Sequence, residues 1–115
     1  MPFIHPKTRL LPAITLGLSL SVLASAGLAQ HVYSISQKGR QFHPGELTVQ
    51  RGDTVQIVND DADLRHHAYI KSDKFNFDSG DQEPGSRTNI VFSTAGDFDV
   101  LCAIHPKMKL TVHVK

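Results

Sequence analysis

The chain has 115 residues, 40% of them hydrophobic and 20% charged, with a formal net charge of +1. That length allows one domain, and a near-neutral balance without a basic run excludes a nucleic-acid partner. The single cysteine excludes an internal disulfide.

Residues 1–29 read as a secretory signal. Lys7 and Arg9 make a short positive region, and Leu10 to Leu28 carries no charge. Gly27-Leu28-Ala29 offers small residues where a signal peptidase reads, with Ala24-Ser25-Ala26 as a second candidate. The competing reading is an uncleaved anchor, because the apolar run nearly reaches the length that spans a bilayer. Pro12, Gly17 and several Ser weaken that reading. Cleavage after Ala29 predicts a periplasmic or otherwise exported protein, without stable membrane insertion. The remaining domain, residues 30–115, loses Lys7 and Arg9; 10 of the 12 basic residues then face 11 acidic ones, net −1.

The mature chain reads as short strands separated by turns. Val32 to Ser36 is a first strand, Phe42-His43-Pro44-Gly45 a turn region, and Leu47-Thr48-Val49 a second alternating stretch. After a turn at Arg51-Gly52-Asp53, Val55, Ile57 and Asn59 share one strand face. Asn59 to Leu64 is a polar loop, His66 to Ile70 a strand, and Asp78 to Ser86 a Gly/Pro/acid loop. Thr88, Ile90 and Phe92 alternate, a turn follows at Ala95-Gly96, and Phe98, Val100 and Cys102 alternate again. Leu110, Val112 and Val114 close the chain on the same period. No segment keeps a helical period, so the pattern predicts an all-β sandwich or barrel.

The chemistry concentrates in Cys102-Ala103-Ile104-His105-Pro106-Lys107-Met108. A thiol, an imidazole and a thioether within seven residues favour copper, and a His2Cys plane with a weak axial Met describes a blue-copper site. Cys102 has the parity of Phe98 and Val100, and Met108 that of Leu110, Val112 and Val114, so both face the core. Pro106 prevents a helix through the intervening loop. A fourth donor must come from elsewhere, and His66 and His67 face opposite sides of their strand. An inward His67 would aim Lys71 at the core, where an unpaired charge is costly; His66 is therefore the candidate. Taken singly, a buried Cys, a core Met and a loop His are commonplace; their joint spacing, with an inward His 36 residues before Cys102, is not.

The Cys102-x2-His105-x2-Met108 loop, the Asp-rich loop leading to His66, and Phe42-x-Pro44-x-x-Leu47-x-Val49-x-x-Gly52-Asp53-Thr54-Val55 together resemble the cupredoxins, small type 1 blue copper proteins. The likeness covers roughly residues 31–115, and the short His-to-Met spacing is similar to that of amicyanin and the bacterial methylamine utilisation-type members. It implies a Greek-key β-sandwich and one type 1 copper ion on His66, Cys102, His105 and Met108. One position departs: many cupredoxins carry Asn after the first ligand His, and here it is His67.

The expected function is one-electron shuttling between redox protein partners by a monomer, not catalysis. One mononuclear cluster without a second His group argues against an oxidase fragment. The alternative is a periplasmic copper carrier or chaperone on the same fold. His105 is the expected exit for the electron. Ala103, Ile104 and Pro106 would form an apolar patch around it, with Lys107, Lys109, Arg65 and His67 adding positive charge. His43 and His113 are expected at the surface.

Overall fold

The structure is a computed structural model, and it describes residues 2–4, 12–14, 17–19 and 30–115. Most of the expected signal segment therefore lies outside the described residues. Among those described, no helix is long and apolar enough to cross a membrane.

The described residues form nine strands: β1 (Val32–Lys38), β2 (Gln41–His43), β3 (Glu46–Val49), β4 (Asp53–Asn59), β5 (Ala68–Ile70), β6 (Phe77–Asp78), β7 (Arg87–Phe92), β8 (Gly96–Cys102) and β9 (Lys109–Val114). They form two sheets, ordered β2-β1-β4-β7 and β3-β9-β8-β5-β6. Both sheets are mixed: β1 runs parallel to β4 and β3 parallel to β9, while the remaining pairs are antiparallel. Parallel neighbours need a crossover. Here the chain leaves one sheet for the other between β2 and β3 and returns between β3 and β4, so the two sheets close into a sandwich.

The alternating residues meet between the sheets. Ile35, Val55, Ile57, Ile90 and Phe92 of the first sheet and Ala68, Ile70, Val100, Leu110 and Val112 of the second are all buried in one cluster. Burial alternates residue by residue along β4 and β8, as a half-buried strand requires.

Three expectations change in detail. Phe42-His43 is part of strand β2 rather than a turn, and Phe42 is buried in the core. Pro44-Gly45 does bend the chain between β2 and β3 as expected, and a further turn lies earlier, at Gly39-Arg40, where both residues have positive φ (60° and 58°) and Lys38 pairs with Gln41. That is the two-residue hairpin connection whose twist suits flanking strands; a three-residue strand with one apolar residue has no visible period. The strand expected from His66 is regular only from Ala68, and His66 itself makes an isolated bridge to Gln82. Phe77–Asp78 forms a short edge strand where the sequence pattern shows none.

Candidate metal centre

Strand register brings the site together. Ala68 on β5 lies directly opposite Cys102 at the end of β8. Two residues before Ala68, His66 shares its inward parity and is fully buried, whereas His67 is half-buried and Lys71 exposed. Beyond Cys102 the chain turns at once. Met108 N–H donates to the His105 carbonyl at 3.0 Å, closing a four-residue turn with Pro106 at its second position, where proline's fixed φ is favoured. This turn brings His105 back over the sheet end and delivers Met108, 1% exposed, to the interior just before β9.

The donor atoms converge. Cys102 Sγ lies 4.0 Å from His66 Nδ1 and 3.7 Å from His105 Nδ1, and the two Nδ1 atoms are 3.2 Å apart. With bond lengths like those of zinc, about 2.0 Å to nitrogen and about 2.3 Å to sulfur, a near-trigonal ion spaces N and S by about 3.7 Å and the two N by about 3.5 Å. The observed separations fit one small ion. Among the described residues, His66, Cys102 and His105 are the one group of His, Cys, Asp and Glu close enough to share a metal. Burial holds the His105 pKa below its ordinary value, and the nearby His66 and Arg40 charges add to the effect against an opposing pull from Asp61. The imidazole therefore stays neutral and able to donate its lone pair over a wider pH range.

A polar network supports His66. Its Nε2 lies 2.7 Å from Asp61 Oδ2. Its backbone exchanges two hydrogen bonds with Gln82, at 3.0 and 2.7 Å. Gln82 is buried; its Oε1 accepts from Gln37 Nε2 and Ala68 N–H, and its Nε2 donates to Thr88 Oγ1. Asn59 ties the same region by donating to the Leu64 and Gln82 carbonyls at 2.8 and 3.0 Å. None of Asp61, Gln82 or Gln37 stands out in the sequence as part of the site; the only signal is a run of acids five residues before a buried His.

His67 points away from the donors. Its Nε2 meets Asp78 Oδ1 at 2.6 Å, and its Nδ1 lies 3.7 Å from Asp81. The link between the two ligand-bearing segments is made by backbone instead, Ala103 N–H donating to the His67 carbonyl at 2.9 Å. Arg65, expected to add charge near His105, pairs with Glu83 at 2.9 Å and Asp81 at 3.7 Å. His43 is exposed, and half-buried His113 faces the outer surface of its sheet between two carboxylates.

No protein-family profile matches the chain, and no curated protein matches it. Solved structures do. A reduced amicyanin variant with Trp replaced by Tyr superposes with a TM-score of 0.68 at 23% identity, over 79% of this chain and 89% of that one. This chain has the cupredoxin fold. A second reduced amicyanin variant gives a TM-score of 0.67 at 23% identity, over 73% of this chain and 82% of that one. The copper-containing nitrite reductase of Thermus scotoductus SA-01 gives 0.67 at 30% identity over 72% of this chain. The chain spans only 22% of that reductase, so the likeness is to one cupredoxin portion of a larger enzyme. Within this cupredoxin sandwich, His66, Cys102, His105 and Met108 are arranged as a type 1 copper site.

Proposed function

We propose that this protein is an exported, periplasmic type 1 copper protein that carries single electrons between redox protein partners, with residues 1–29 removed as a signal. The convergence of His66 Nδ1, Cys102 Sγ and His105 Nδ1 at the buried end of a rigid sandwich carries this reading. These three atoms would form the ligand plane, and the Met108 thioether the weak axial contact. A copper ion held there supplies a Cu(I)/Cu(II) couple exchanging one electron at a time.

The chain's own residues account for the rest. Cys102 must donate as thiolate, so metal uptake releases its proton. His66, Cys102 and Met108 are at most 2% exposed, which keeps bulk water from the donors. His66 is locked by Asp61 and Gln82, and Cys102 and Met108 by β8 and β9, so the donors resist rearrangement when charge changes. His105 is the only donor of the four that is more than marginally exposed, and its ring edge is the natural exit for the electron.

The test is addition of Cu(II) to the purified protein. An intense blue absorption with a narrow-hyperfine copper EPR signal, absent in Cys102→Ser, is the expected result. A colourless or pale product would refute the type 1 reading. Fast electron self-exchange with slow metal loss separates the electron carrier from a copper carrier on the same ligands.

A further inference from the structure

The outer faces of the two sheets differ in charge. Outward positions of the five-stranded sheet carry Glu46, Asp78, Asp97, Asp99, Lys109 and His113. On the four-stranded sheet, the alternation of β1, β4 and β7 turns three rows outward, and strand register defines them. The rows are Val32-Thr54-Val91, Ser34-Gln56-Asn89 and Ser36-Val58-Arg87. Arg87 is the only charged residue in them. Among residues 30–115 three large apolar side chains are exposed: Val32 (68%), Val91 (53%) and Ile104 (45%). Two of these three share the first row. A sheet face left to water normally alternates to polar residues; this one keeps valines in two rows and has almost no charge.

The rows are self-complementary about a two-fold axis laid along β4. β1 and β7 lie on either side of β4, so such an axis sets β1 of one copy over β7 of the other. Val32 then meets Val91, Ser34 meets Asn89, and Thr54, Gln56 and Val58 meet their own equivalents. The third row adds opposite charges. Asp60 follows Val58 on the same face and accepts from Ser36 Oγ on β1. Arg87 Nη1 lies over the face, donating to Gln56 Oε1 at 3.1 Å. Among the described residues neither Asp60 nor Arg87 makes a salt bridge. The axis brings Arg87 of each copy to Asp60 of the other. An axis across the strands would instead put Val32 on Ser36 and Val91 on Arg87, which matches neither polarity nor charge.

We propose that the outer face of the four-stranded sheet binds a second copy of this chain, in a weak two-fold dimer with β4 on the axis. Sheets stacked face to face lie about 10 Å apart, with strand directions within about 30°, so one layer of side chains from each copy fills the gap. Four strands at about 4.8 Å spacing and six residues at about 3.3 Å each span about 400 Å² per copy. That is about half of the roughly 800 Å² per partner in a standard interface. The chain is therefore monomeric when dilute and pairs when concentrated. His66, Cys102, His105 and Met108 belong to the other sheet and its loops. Pairing leaves both His105 edges uncovered, at the same end of the dimer, and does not depend on the metal.

Amide NMR of the purified protein between about 0.05 and about 2 mM tests this. Expected on concentration are slower tumbling and shifts of the Val32–Ser36, Thr54–Val58 and Arg87–Val91 amides, with a dissociation constant on the order of 1 mM. Val91→Lys, at an exposed position, should weaken association at least about tenfold and leave the core amides in place. Arg87→Asp and Asp60→Arg each bring like charges together, and each variant alone should stay monomeric. Mixed, the two variants restore both opposite-charge pairs, so a one-to-one dimer should form. Tumbling independent of concentration, or shifts confined to other surfaces, would overturn the proposal. So would a mixture of the two charge variants that stays monomeric where the unaltered protein pairs.

Discussion

Asp61 Oδ2 lies 2.7 Å from Nε2 of the fully buried His66. Burial pushes the Asp61 pKa up, but the Gly39 N–H and the His66 ring outweigh it and leave the carboxyl below its ordinary value. An ionised carboxylate only accepts hydrogen bonds. Nε2 must therefore carry the ring hydrogen, and the lone pair falls on Nδ1, the atom facing Cys102 and His105. Asp61→Ala is expected to weaken copper affinity by about 10- to 100-fold, the usual effect of losing a carboxylate that orients a ligand His. Competition with a calibrated chelator measures this. Unchanged affinity would mean that the backbone bonds to Gln82 orient the ring unaided.

Gln82 makes a different prediction. Its side chain holds three partners inside the protein, and one of them, Gln37, is fully buried with its own Oε1 unpartnered. Gln82→Leu would leave the whole Gln37 amide without a partner. A buried polar group without one costs about 1–3 kcal/mol, so the variant should lose about 2–4 kcal/mol in urea unfolding. Changing Gln37 to Leu as well should recover part of the loss, since removing both partners costs less than removing one. Additive losses in the double variant would show that the two amides do not act together.

Much of this site can be read from the chain because strands alternate strictly. The parity of Cys102 and Met108 follows from their neighbours, and the polarity of Lys71 is enough to tell which of His66 and His67 turns inward. The supporting residues escape such reading for a physical reason. Gln82 sits in a loop without period and meets Gln37, 45 residues away. Arg65 reads as a loose charge until Glu83 is folded against it. Arg40 comes beside the His105 loop only through a hairpin whose second strand is three residues long. Periodicity reports which face a residue takes, and these contacts depend on which loops meet.

Met108 separates packing from ligation. It is 1% exposed and contributes to the core, so Met108→Leu, a volume-conserving exchange, should cost less than about 1.5 kcal/mol. The proposed His2Cys plane stays intact, so the blue absorption should persist. The reduction potential should shift, because the weak axial contact tunes it. Voltammetry of both proteins decides: an unchanged potential would remove Met108 from the ligand set and leave it a core residue.

On the outer face of the larger sheet, His113 on β9 bridges its two neighbouring strands. Its Nδ1 meets Asp97 on β8 and its Nε2 meets Glu46 on β3, both at 2.6 Å. Two acceptors require two ring hydrogens, which is the protonated imidazolium. The Asp97 hydrogen bond, then that of Glu46, raises the His113 pKa above its ordinary value. A raised folded-state pKa stabilises the protein fully below the unfolded value of about 6.5, and the contribution disappears as pH rises through the folded value. The stability difference between the protein and His113→Gln should therefore be largest near pH 6 and shrink towards pH 9. Solvent and salt reach both carboxylates, so the difference should also shrink in high salt. Urea unfolding of both proteins across that range checks the sign, with the His113 ring titration followed by NMR. A difference that grows with pH would show that His113 is neutral in the fold and bridges the strands with one hydrogen bond only.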